Sequence, residues 1–543
     1  MMQRDDARNA DTHPRSGDTC PAPGQRVLSP VRAASRRPLP AARIAKMPTP
    51  PATTSPRCAL LALLAFSLLP ASAAWKMPPV HEKILSNGMT ILVIERRASP
   101  TFHAHIGFRA GSAYEKPGES GMAHMLEHML FKGTRVMGTR NYAAEEPLMA
   151  RLDQLYEQLD AARAAPVPDA SRIEDLAAQI TSVENEQQQY IRSEELWSLY
   201  QQNGGENLNA STSRDITNYF LSLPANRLEL WAWLESDRMQ APVFREFYRE
   251  RDVIAEERRM RVEADPGGVL WEALFSAAYT AHPYRIPTIG YMSDIENYKR
   301  PAVERFHTLN YAPNRAVVVL VGDLSAQKAF AVCEKYFGRL ARQPDPPPIL
   351  PREPEQRGER RVQVLFDAEP HVMVAYHVPP TGHPDLYALE VLAGLLSEGR
   401  TSRLYKSLVR TQEIAVSAHA FALDGRDPGL FIFSGAPRHP HTAEEVEKAF
   451  YAELAGLIHD PIDERELQKV KNNLQADFIR GLGTNMGMAH ALGYYAVIAD
   501  WRYLETFLDR INAIAAEDVK RVARQYLTPA NRTVAIRVKE EKS

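Results

Sequence analysis

The stretch Gly121-Met122-Ala123-His124-Met125-Leu126-Glu127-His128-Met129-Leu130-Phe131-Lys132-Gly133-Thr134 sets two histidines four residues apart, with a glutamate directly before the second. On a helix, residues i and i+4 leave the same face about one turn apart, so both imidazoles reach one point. That spacing suits two nitrogens bound to one zinc at about 2.0–2.1 Å. Glu127 lies on an adjoining part of the face, within reach of a water on the metal, and is the candidate general base. Zinc lowers the pKa of such a water toward about 7 and polarises a scissile carbonyl, which is hydrolytic chemistry near neutral pH. The five letters are H-E-x-x-H run backwards.

A catalytic zinc needs three protein ligands and an open position. The acidic run Glu250-Arg251-Asp252-Val253-Ile254-Ala255-Glu256-Glu257-Arg258 reads as a second helix that supplies the third. Glu250 and Glu257 are two turns apart on one face, so one can ligate while the other holds a histidine or the metal from outside. By spacing alone, Glu256 is an equal candidate.

Outward from the motif, Thr90–Ile94, after an Asn87-Gly88 turn, and His103–Phe108 read as a strand pair. Residues 148–199, rich in Ala, Glu, Gln and Leu, read as an inserted antiparallel helical hairpin broken at Ala165-Pro166-Val167-Pro168-Asp169. Asn207–Thr212 and Asn218–Leu223 follow as strands, then helices over Leu228–Met239 and Phe247–Val262. Tyr311-Ala312-Pro313-Asn314-Arg315 feeds the apolar strand Ala316–Val321, and Leu527-Thr528-Pro529-Ala530-Asn531-Arg532 feeds Thr533–Ile536; each follows a helix, starting near Pro301 or Ala516. Two matched endings predict a duplicated α+β domain. The second copy, with strands near Val362–Phe366 and Val372–His377 and a helix over Asp385–Leu396, contains no H-x-x-E-H. Between the copies, Arg342-Gln343-Pro344-Asp345-Pro346-Pro347-Pro348-Ile349-Leu350-Pro351 reads as an extended linker between bodies free to move relative to each other. The expected architecture is two homologous α/β sandwiches with mainly antiparallel mixed sheets: a catalytic unit over 75–341, a linker over 342–358 and a metal-free unit over 359–543.

The 543 residues exceed one core, and a net charge of -2 gives no pull toward nucleic acid or an anionic membrane. Residues 1–46 read as disordered or as an upstream start-site artefact, outside the fold. Over 47–74, a basic residue, the apolar run Ala59–Leu69 and the small residues Ala71-Ser72-Ala73-Ala74 form a signal peptide, which predicts export to the periplasm. No later segment is apolar enough over about 20 residues to span a bilayer. Cys333, the one cysteine of the mature part, falls in an apolar helical pattern and reads as core.

The H-x-x-E-H helix with its trailing F-K-G-T, the E-R-D-V-I-x-x-E phrase and the N-Y-A-P-N strand entry resemble the pitrilysin/insulinase family of inverted zinc metallopeptidases, similar to mitochondrial processing peptidase subunits. The resemblance spans about residues 80–538. It implies one Zn2+ per chain held by His124, His128 and Glu257, with Glu127 as general base and Glu250 as the supporting acid, and so prefers Glu257 over Glu256. It also implies that a peptide substrate adds as a strand to an exposed edge matched by Asn209, Ala210, Ser211 and Thr212.

One departure bears on partners. Active relatives present an Arg and a Tyr toward the substrate carbonyl in a phrase similar to L-R-E-x-x-G-L-A-Y-S. Here an ungapped match puts Val409 and Val416 in those slots, with Arg410 one step off. Losing such groups costs often near 10²-fold, so the expectation is a homologous non-zinc subunit that supplies them in a heterodimer, or else a homodimer; the alternatives are that Arg410 serves after a local shift or that the chain has little activity alone. The alternative function is a non-proteolytic assembly subunit on the same fold, resembling core subunits of cytochrome bc complexes. A peptide-binding protein without hydrolysis is a third reading, and nucleic-acid binding lacks its basic stripe.

Overall fold

The computed structural model describes residues 75–540, and both the segment 1–46 and the signal peptide read at 47–74 lie outside them. Two mixed sheets organise the chain. In the first, β1 (His81–Ile84), β2 (Thr90–Glu95), β3 (Thr101–Phe108), β4 (Glu206–Thr212), β5 (Thr217–Pro224) and β6 (Ala316–Gly322) lie in the order β1-β2-β6-β3-β5-β4. In the second, β7 (Arg360–Phe366), β8 (His371–Val378), β9 (Ala415–Leu423), β10 (Gly429–Pro437) and β11 (Arg532–Lys539) lie in the order β7-β11-β8-β10-β9. Set β1 aside, and the orders superpose strand for strand, including one parallel pair each, β2 with β6 and β7 with β11. The matched endings of the sequence thus become the same strand in each sheet.

Thr90–Ile94 and His103–Phe108 are not partners. The Asn87-Gly88 turn pairs β2 with β1, and β6 inserts between β2 and β3. The reason is the character of β6, which is buried along its whole length and therefore belongs at the centre of a sheet covered on both faces. The second sheet's β9 and β10 were not anticipated, although Ala415–Leu423 has the alternation of a half-buried strand.

Both faces of each sheet are covered, and the outer covers are exchanged. Ile91, Val93, Val318 and Leu320 face the first half's own helices, while Leu92, Ile94, Val317, Val319 and Val321 share a core with Met488, Leu492 and Val497 of the helix Asn485–Ile498. Reciprocally, Leu270, Leu274 and Phe275 of the helix Pro266–Ala278 cover Met373, Ala375 and Ile432 of the second sheet. The expectation of independently moving bodies is therefore corrected, because each half closes the other's hydrophobic face. The linker is also held: residues 342–358 form no helix or strand, and Glu353 accepts hydrogen bonds from the backbone of Thr280, Ala281 and His282 at 2.9–3.1 Å.

The helical hairpin starts and ends earlier than its composition indicates. Helices Tyr142–Arg163 and Ala170–Gln188 pack antiparallel, and the first begins at the Asn141 cap, ahead of Pro147. Among the described residues, no helix is long and apolar enough to cross a membrane, and Cys333 is fully buried.

Strand β3 alternates strictly: Phe102, Ala104, Ile106 and Phe108 enter the first core, which turns His103 and His105 toward the exchanged helix. There the His490 ring lies 5.2 Å from each of theirs and 4.3 Å from Phe220, and Gly493 is required because a Cβ would meet the His105 ring at 2.1 Å. Burial lowers the pKa of His103 to about 3, of His490 to about 4, and of His105 well below its ordinary value, while Ser222 supplies a neutral partner to His103. The folded chain thus keeps these rings neutral, whereas the unfolded chain protonates them near pH 6.5. Stability is full above that pH and falls as the pH drops toward 4, by up to about 2 kcal/mol per histidine at pH 5. Urea unfolding at pH 7 and pH 5 should show this loss, and His490→Gln should lose measurably less. Equal losses would contradict the assignment.

Candidate metal centre

The motif forms the helix Met122–Met129, entered through Gly121 at φ 85°. A Cβ there would lie 2.3 Å from the Ile289 carbonyl oxygen, so both conformation and space demand glycine. The open N-terminus is satisfied from outside, because the buried Glu115 carboxylate accepts from the backbone N–H of Gly121 (2.7 Å) and of Ala123 (2.8 Å).

The acidic run forms the helix Phe247–Arg258, and a buried arginine couples its start to the end of the motif helix. Arg245, 1% exposed, donates to the carbonyls of Lys132, Thr134 (2.7 Å) and Met137 (3.1 Å) and pairs with Glu145 at 2.9 Å. The K-G-T turn after the motif thus wraps a guanidinium from the turn that leads into the other helix. Gly133 (φ 92°) makes that wrap possible.

With the helices so placed, ligand atoms of His124, His128 and Glu257 all lie within 4.8 Å of one another. His124 Nε2 is 3.7 Å from Glu257 Oε1, and His128 Nε2 is 3.6 Å from Oε2. These gaps exceed a hydrogen bond but approach the roughly 3.3 Å between neighbouring ligands of a tetrahedral zinc at 2.0–2.1 Å. Two imidazoles and one carboxylate are a donor set that zinc accepts, and neither Nε2 has a hydrogen-bond partner among the described residues. Burial, helped by His128, pushes the His124 pKa well down and keeps the ring neutral. Glu256 points away, with its side chain 59% exposed and paired to Arg259.

Glu250 accepts at 2.9 Å from His128 Nδ1 and is itself held by Lys132 Nζ at 2.7 Å. A carboxylate on Nδ1 fixes the tautomer that leaves Nε2 free to ligate. For Glu250, burial works against the charge, but the His128 bond and Lys132 prevail and bring its pKa to about 2. For His128, burial is likewise outweighed by Glu250, and its pKa rises. Arg261, one turn beyond Glu257, pairs with its Oε1 at 2.7 Å.

Glu127, on the same helix as the histidines, receives a 2.5 Å hydrogen bond from the Thr212 hydroxyl. Burial raises its pKa, and Thr212 opposes the rise. Among the described residues, strand β4 ends the first sheet and pairs with β5 alone, so its outer edge is open. Along it Asn209 and Ser211 are exposed, while Ala210 and Thr212 turn inward.

Comparison with known proteins bears on the family of the chain. Residues 91–149 and 187–291 match the family described as insulinase (peptidase family M16), and residues 297–474 match the peptidase M16 inactive domain. The chain is 30% identical over 464 residues to the zinc protease PqqE of Helicobacter pylori, covering 84% of this chain and 92% of that protein. The chain belongs to peptidase family M16. A crystal structure of a protease from Helicobacter pylori superposes on this M16 chain with a TM-score of 0.72 at 29% identity, covering 85% of this chain and 100% of that one. The beta subunit of the mitochondrial processing peptidase of Lentinula edodes is 23% identical over 459 residues, covering 82% of this chain and 86% of that protein.

The insulinase match skips residues 150–186, the body of the helical hairpin. In the second half, Arg410 is exposed at the end of an irregular helix and Val416 is 63% exposed on the edge strand β9. Neither is among the groups brought to the metal centre. Sequence reading missed Arg245, Arg261 and the inward turn of Thr212; only Arg261 left a signal, its i+4 spacing from Glu257. Replacing Glu250 with Ala should weaken zinc binding by about 10–100-fold, because His128 loses its orienting partner. Chelator competition measures this, and an affinity within twofold of wild type would contradict it.

Proposed function

We propose that this M16 chain is a zinc-dependent endopeptidase that hydrolyses peptides or small unfolded proteins in the periplasm. His124, His128 and Glu257 hold one zinc ion, Glu127 is the general base, and Glu250 orients His128. The observation that carries the reading is the convergence of two free imidazole nitrogens and one carboxylate beside a buried, hydroxyl-bonded glutamate. The relatives named zinc proteases support it, and the leader at 47–74 supports export.

Zinc, when bound, supplies Lewis acidity toward water and toward the scissile carbonyl. The chain's own residues do the rest. An extended peptide adds along the open edge of β4, where main-chain bonds bind many sequences with little regard to side chains. Glu127 takes the proton of the attacking water and passes it to the leaving amine. A carboxyl raised by burial is suited to that task, since a base works best when its pKa approaches the working pH. Lys132 and Glu250 fix the His128 tautomer whose Nε2 would hold the ion.

The groups that would stabilise the oxyanion are not supplied by Val409 or Val416. The proposal therefore includes a homologous non-zinc subunit that closes over the centre; the relative named as the beta subunit of a processing peptidase supports an assembled enzyme. Peptide hydrolysis by the mature chain, alone and with such a subunit, is the test. Activity should require the subunit, and Glu127→Gln should lower kcat by roughly 10²–10⁴-fold while one zinc per chain is retained. Full activity in Glu127→Gln would remove the base assignment, and a zinc-loaded chain inert with every subunit tried would favour the assembly role.

A further inference from the structure

We propose that Thr212 is a positioning residue for the general base: its hydroxyl holds one carboxylate oxygen of Glu127, so that the other is left for the attacking water. The proposal rests on the reading of Glu127 as base and assigns Thr212 a role other than main-chain contact with substrate.

Thr212 Oγ1 has one proton and lies 2.5 Å from Glu127 Oε2. Its other neighbour is Thr217 Oγ1 at 3.3 Å, whose own proton goes to the Ala110 carbonyl at 3.1 Å. A charge-assisted bond to a carboxylate is about twice as strong as a neutral one, so the Thr212 proton belongs to Glu127. Among the described residues, nothing hydrogen-bonds to Glu127 Oε1. One oxygen of the carboxylate is tied and the other is free. The tie persists after the base has taken a proton, since Oε2 still accepts while Oε1 carries the hydrogen.

The location explains why threonine is placed there. Thr212 is the last residue of β4 and is 5% exposed, with its side chain inward beneath the edge where a substrate strand would pair. A β-branched side chain in a strand has restricted χ1, so the hydroxyl direction is set by the backbone of the substrate-binding strand. The strand that registers the peptide therefore also aims the base. Glu127 is on the motif helix, and without this bond its carboxylate could rotate about χ3, which is a broad torsion.

A positioning role acts on the chemical step and not on substrate affinity. In the zinc-loaded assembled enzyme, Thr212→Val keeps the shape and removes the hydroxyl. It should lower kcat by about 10–100-fold with KM within about twofold and one zinc per chain retained. Thr212→Ser restores the donor and should recover kcat to within about threefold. A kcat for Thr212→Val within threefold of wild type, in an enzyme that Glu127→Gln inactivates, would overturn the proposal and leave the base assignment standing. Equal damage in Thr212→Ser and Thr212→Val would overturn it as well, by pointing to strand packing. Hydrolysis that survives Glu127→Gln would remove the parent reading and this one with it. Infrared difference spectra between each protein and its Glu127→Gln counterpart give a readout independent of turnover. The Glu127 carboxylate band should shift in Thr212→Val and stay in place in Thr212→Ser, and an unshifted band in Thr212→Val would contradict the hydrogen bond itself.

Discussion

The metal centre depends on one geometric constraint: His128 and Glu250, 122 residues apart in sequence, must meet at 2.9 Å, with Glu257 a further two turns along the same helix. A site of this kind tolerates errors of only about 0.5 Å, so its helices have to be fixed by packing and by hydrogen bonds outside the ligands. Arg245 is the most economical of these fixtures. A buried guanidinium costs heavily unless all its donors are met, and the turn after the motif meets them with three carbonyls and Glu145. Moving either helix would leave that charge unsatisfied.

The two sheets supply the stiffness behind the site. Because the helix Pro266–Ala278 leaves the first half to cover the second sheet, and the helix Asn485–Ile498 returns the favour, neither half has a complete core alone. A buried polar contact reinforces the exchange, as Asp215 accepts from the Tyr284 hydroxyl and from the Arg426 backbone at 3.0 Å. The metal-free half is thus a structural requirement of the metal-bearing one. Its duplicated topology no longer needs its own ligands to be retained.

The parts legible in the sequence were those written in local spacing. Two histidines one turn apart, a strand of consecutive valines and two copies of a proline-asparagine strand entry each carry their meaning within a dozen residues. What could not be read depends on contacts between distant segments. Glu256 and Glu257 are equivalent by spacing, and only the packing of the acidic helix turns one inward. The insertion of β6 between β2 and β3 is a choice of partner, which periodicity does not encode. The histidines of β3 read as part of an alternating strand, but the helix they face lies in the other half of the chain. Thr212 was legible as an edge residue and illegible as the partner of Glu127, since the bond crosses from strand to helix.

The measurement that bears most directly on the central claim is anomalous diffraction at the zinc absorption edge from crystals of the mature chain. The account predicts one peak per chain, about 2.0–2.1 Å from Nε2 of His124 and Nε2 of His128 and about 2.0–2.2 Å from a carboxylate oxygen of Glu257, with one position open toward Glu127. A peak that is absent there, or one whose third protein ligand is not Glu257, would contradict it.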